Sequence, residues 1–175
     1  MPSRRLRILQ YTLADIKAQL DTLPILFRVW FGWLGMVVLV FPFVLIGHRQ
    51  GKVASLFAGV FIPLLLILIY FMGITYLISF LHLVLWIPLI FYLCRELKMG
   101  RIKPFSLIGI WSFVTISTLN ISLVFDIRDA VRWLMGERGI IDPQPGIYLP
   151  WITIPGMLAA FLFTKWYIFG SSTSN

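Results

Sequence analysis

Few residues in this chain could do chemistry, and two of them, His82 and Asp126, lie in or at the edge of otherwise apolar sequence. An imidazole titrates near neutrality, and a carboxylate beside it can hold and orient its proton. Around His82, the residues Thr75, Ser79, His82 and Trp86 follow at spacings of four, three and four, so one helix face carries them all. Around Asp126, the residues Trp111, Thr115, Thr118, Ser122, Asp126, Asp129 and Trp133 keep the same rhythm. At about 100° per residue they fall within a stripe roughly 80° wide, while Arg128 and Arg132 project from another side.

The chemistry this pattern allows is proton exchange, or capture of a small cationic solute, along a polar seam. That seam would comprise His82, Ser79, Thr115, Thr118, Ser122, Asp126 and Asp129. The plainer reading is structural. Ser and Thr let helices approach and bond across the contact, and Arg128, Arg132 and Trp133 anchor a helix end at a membrane interface. Asp129 and Arg132, three apart, are placed to pair.

The elements that must position these residues are membrane helices. Of 175 residues, 59% are hydrophobic and 13% charged, about half the charge of an ordinary soluble domain. Lipid is the natural solvent for such a chain. The fold expected is an all-α integral membrane protein, a single bundle over 25–169 of about five hydrophobic helices. The expected spans lie near 29–47, 53–72, 75–94, 105–125 and 147–164. A polar segment with a short interfacial helix occupies 126–146, and a polar tail 170–175. Residues 53–94 carry no charge and are twice the length one crossing needs, so they must fold back, with Gly73 the natural turn.

Ahead of the bundle, residues 1–24 form a basic amphipathic segment. Leu9, Leu13, Ile16, Leu20 and Leu23 make a one-sided stripe beside Arg4, Arg5 and Arg7, which suits a helix lying on a membrane surface. Thr12 and Asp15 have the spacing of a weak capping box. No apolar core follows the arginines, so a cleaved leader is not expected. The glycines of "GWLG", Gly32 and Gly35, would permit close helix approach. "VLVFPFVLIGHR" (38–49) and "VLWIPLIFYLCR" (84–95) both place Arg seven residues after Pro, a faint hint of an internal repeat.

Fifteen Lys and Arg against seven Asp and Glu give a net charge of +8. In an apolar chain this excess meets the lipid bilayer, anionic headgroups included, rather than nucleic acid. The basic loops 48–52 and 95–104 are expected on the cytoplasmic side. Five full crossings would then put the basic N-terminus outside. A first segment that enters and returns at its glycines or at Pro42 would remove that conflict.

No cofactor or metal is expected. His48 and His82 lie at different depths and are unsuited to bis-histidine haem ligation, and no zinc-ligand or nucleophile-elbow spacing occurs. The single Cys94 rules out an intramolecular disulfide. The function expected first is that of a non-catalytic accessory or assembly subunit of a membrane complex, with protein partners or a second copy of itself. The alternative is a small transporter or proton-conducting protein that uses the seam. An intramembrane enzyme ranks behind both.

Overall fold

The computed structural model describes residues 13–137. Expectations for residues 1–12, including Leu9, Thr12 and the three arginines, lie outside the described residues. So do those for the fifth apolar segment and the polar tail. Among the described residues the protein is an all-α integral membrane bundle. A short helix α1 (Leu13–Thr22) is followed by four helices long and apolar enough to cross a membrane: α2 (Ile25–Val44), α3 (Arg49–Met72), α4 (Ile78–Lys98) and α5 (Leu107–Leu134).

Pro24 separates α1 from α2, and Lys17 bonds Asp21 at 2.9 Å along α1. That hydrogen bond, with the charge of the same ammonium, holds the Asp21 carboxyl below its usual range. Leu23 is buried, and Gln19 accepts the Ile74 amide at 3.1 Å, which ties α1 to the turn between α3 and α4. That turn forms at Gly73 as expected. Its φ of 72° with ψ of −169° is a backbone state that glycine alone adopts readily.

α2 does not turn back. It is one helical rod whose middle, Gly35–Val40, is wound as a π-helix. The cause lies at Pro42, which has no amide hydrogen to give the Val38 carbonyl and whose ring crowds it. Upstream, the Phe41 amide bonds Met36 rather than Val37, leaving the Val37 carbonyl without its ordinary helical partner. The Trp111 indole of α5 donates to that carbonyl at 3.1 Å. The winding defect thus becomes an attachment point between helices. Because α2 runs end to end, α1 and the basic loops sit at opposite ends of the bundle, and the half-span arrangement is not adopted.

α5 is the central helix. Its most apolar 18-residue stretch is 56% buried, against 22% for those of α2 and α3. Lipid tails are as apolar as leucine, so contact between such helices rests on close packing and hydrogen bonds rather than on escape from water. Ser112 and Thr115 on α5 are fully buried, and small side chains there let Trp86, Leu89 and Leu93 of α4 seat against Ile116 and Leu119.

Two other details depart from expectation. Among the described residues, Gly32 and Gly35 have no atom within 4 Å of an added Cβ, so they mediate no close approach between the described helices. The tight glycines are Gly51, where a Cβ would strike the Leu45 carbonyl, and Gly109, where it would strike the Lys103 carbonyl. Both lie where the basic connectors press against the next helix. The proline repeat also has no structural counterpart. Pro88 sits inside an unbroken α4 with Arg95 in its last turn, whereas Pro42 precedes a turn and Arg49 opens the next helix.

Candidate functional site

The antiparallel packing of α4 on α5 brings the two polar stripes face to face. His82 Nδ1 lies 2.7 Å from Asp126 Oδ1, and the two side chains are only 10% and 8% exposed. With the carboxylate ionised, Nδ1 must carry the hydrogen and donate it, which leaves Nε2 as the ring's acceptor while the imidazole is neutral. Ser122, one turn deeper on α5, donates to Asp126 Oδ2 at 3.3 Å. Each carboxylate oxygen therefore has one partner. The imidazole is held from its other side by rings: Phe61 at 5.3 Å and Trp86 at 5.8 Å between centroids, with Phe61 and Trp86 4.6 Å apart.

The depth of the pair follows from where the helices end. α5 does not stop near 125 but continues to Leu134, so Asp126 lies about two turns inside a helix rather than at its boundary. His82 is four residues from the start of α4 at the same end. Asp126 thus meets His82 directly, and Ser122 buttresses it from below.

The pair borders a cavity of about 670 Å³ between α2 and the α4–α5 face. Phe27, Trp30 and Phe31 of α2 form part of one wall; Ser79, His82, Trp86, Ser122 and Asp126 form part of the opposite one, with Arg128 and Asp129 also bordering it. Beyond the pair, towards the basic loops, Trp86, Leu89 and Leu93 are buried to 1% exposure or less. Among the described residues the cavity lining on α4 ends at Trp86, and Leu89 and Leu93 do not border it.

The other stripe residues have separate fates. Thr118 accepts the Trp33 indole at 3.1 Å, which fastens α2 to α5. Thr75, Ser79 and Thr115 are buried, and neither the Thr75 nor the Thr115 hydroxyl bonds any described group. Asp129 lies 3.5 Å from Arg128 Nε, an ion contact without hydrogen-bond geometry, and its Oδ1 is shut off from solvent. The expected Asp129–Arg132 pair does not form. Arg132 instead bonds Glu137 at 2.7 Å and covers the Tyr76 ring at 4.6 Å. Trp133 is half-buried near that end.

No protein-family model, curated protein or solved structure matches this chain. The site must be read from its own geometry.

Two features escape the sequence reading. The aromatic wall of α2 carries a signal in the spacing of Phe27, Trp30, Phe31 and Trp33, which places rings on adjoining faces of one helix. At the other end of the bundle, Glu96 is 2% exposed and accepts from Gln50 at 3.2 Å and Arg101 at 2.9 Å. Both carboxylate oxygens are used, so the cluster clasps α3, α4 and the following connector. No sequence spacing announces it, since Gln50 and Glu96 are joined only by the fold.

Proposed function

We propose that this chain is a multi-pass membrane protein that binds a small solute in the α2–α4–α5 pocket and exchanges a proton at the His82–Asp126 pair. The observation that carries this reading is the 2.7 Å contact of two titratable groups, both buried, at the wall of a cavity. Ionisable groups in apolar helices are costly and concentrate along solute and proton paths. The basic loops 48–52 and 95–104 face the cytoplasm in this reading, held by anionic headgroups, and the pocket belongs to the opposite half. The experiment is proton flux in proteoliposomes. His82→Ala and Asp126→Asn should each abolish it, and full flux in both variants would end the proposal.

A second reading is an accessory or assembly subunit of a larger complex, without catalysis. It draws on α2 and α3, whose most apolar stretches are only 22% buried among the described residues, so much of their surface faces lipid or another helix. Extraction in mild detergent separates the two. A discrete larger complex supports the subunit; a homo-oligomer that solute stabilises supports transport.

A further inference from the structure

Resting on the site just proposed, we infer that the ligand of the pocket is a monovalent organic cation with an aromatic or apolar body, and that it competes with the proton of His82. The first ground is charge. Two carboxylates, Asp126 and Asp129, border the cavity against one guanidinium, Arg128, whose side chain is 40% exposed. The wall therefore carries one net negative charge while His82 is neutral and none once it is protonated. The Asp129 Oδ1 atom is screened from solvent and meets Arg128 Nε at 3.5 Å without hydrogen-bond geometry, so its charge is only loosely compensated.

The second ground is the rest of the lining. Phe27, Trp30, Phe31, Phe61, Trp86 and Phe125 all border the cavity. The face of an aromatic ring is the negative part of its quadrupole and attracts cations, most strongly where water is excluded. A volume of about 670 Å³ accommodates a drug-sized molecule. An anion of the same shape would meet the same apolar contacts with the wrong charge opposite it.

The third ground is the proton. A neutral His82 giving its Nδ1 hydrogen to Asp126 keeps Nε2 free as an acceptor; protonation turns that atom into a donor and adds positive charge. Among the described residues, the charged and titratable groups that share the cavity wall with the imidazole are Asp126, Asp129 and Arg128, all on α5; α3 presents Phe61, and α2 puts no titratable group there. Cation and proton therefore seek the same negative charge.

The test uses two probes of one shape and opposite charge, tetraphenylphosphonium and tetraphenylborate, with purified full-length protein in detergent. The phosphonium should bind saturably, and its affinity should fall by up to about tenfold per pH unit as His82 takes up its proton. Asp126→Asn should weaken it by about tenfold or more, and Asp129→Asn serves as a second variant if Asp126→Asn does not stay monodisperse. His82→Phe should remove the pH dependence. Equal binding of both ions, unchanged in the carboxylate variants, would overturn the inference. If the borate alone binds with a pH dependence set by His82, the cation assignment fails while the proton-exchanging site stands. If neither ion binds with any dependence on these residues, the cation assignment fails, and absence of flux would then remove the site reading as well.

Discussion

Replacing His82 by Phe tests the buried pair by its energy. The phenyl ring keeps the contacts with Phe61 and Trp86, but Asp126 Oδ1 loses the donor at 2.7 Å and retains only Ser122 on its other oxygen. An ordinary hydrogen bond between membrane helices is worth about 0.6 kcal/mol and at most about 1.7. A buried carboxylate stripped of its hydrogen-bond donor costs about 1–3 kcal/mol or more. The side chains are 10% and 8% exposed, so solvent offers little relief and the larger figure applies. Asp126→Leu leaves an imidazole nitrogen unbonded and should cost about 1–3 kcal/mol. Removing both partners together should cost far less than the two single losses combined, since only the Ser122 hydroxyl is then left without its partner. The assay is a double-mutant cycle by equilibrium unfolding in mixed micelles, followed by tryptophan fluorescence. A coupling of about 2 kcal/mol or more is expected; a coupling within about 0.5 kcal/mol of zero would refute the pairing.

Gly51→Ala and Gly109→Ala should each destabilise the bundle by about 1–3 kcal/mol in the same assay, because the added methyl meets backbone that must move. Gly32→Ala and Gly35→Ala, which meet no atom of the described residues, should change stability by less than about 1 kcal/mol. Trp111→Phe leaves the Val37 carbonyl unbonded in the π-wound stretch and should cost about 1–3 kcal/mol, whereas an unchanged unfolding midpoint would show that the indole bond does not hold α2 to α5.

What the sequence made legible was periodicity. Spacings of three and four placed Ser79 and His82 on one face and Thr115, Thr118, Ser122 and Asp126 on another, and those faces meet. Gly73 was legible as a turn because a charge-free run too long for one helix must break where the backbone is freest. Depth was not legible. The charges after Phe125 look like an exit from lipid, yet α5 continues through them, which is why Asp126 rather than Ser122 reaches His82. Steric need was not legible either. Gly51 and Gly109 are constrained by carbonyls of neighbouring connectors, while "GWLG" offers the more suggestive pattern and meets nothing among the described residues. The Trp111–Val37 bond exists only because Pro42 rewinds α2, and the Gln50–Glu96 clasp only because α3 and α4 run side by side.

The central claim is that the pocket exchanges a proton for a bound solute at His82–Asp126. Its most direct test adds tetraphenylphosphonium to weakly buffered, purified protein at a series of starting pH values and follows the bulk pH with an indicator dye. The account predicts release of up to about one proton per chain, in step with binding, and none from Asp126→Asn or His82→Phe. Saturable binding of the phosphonium with no proton released would contradict it.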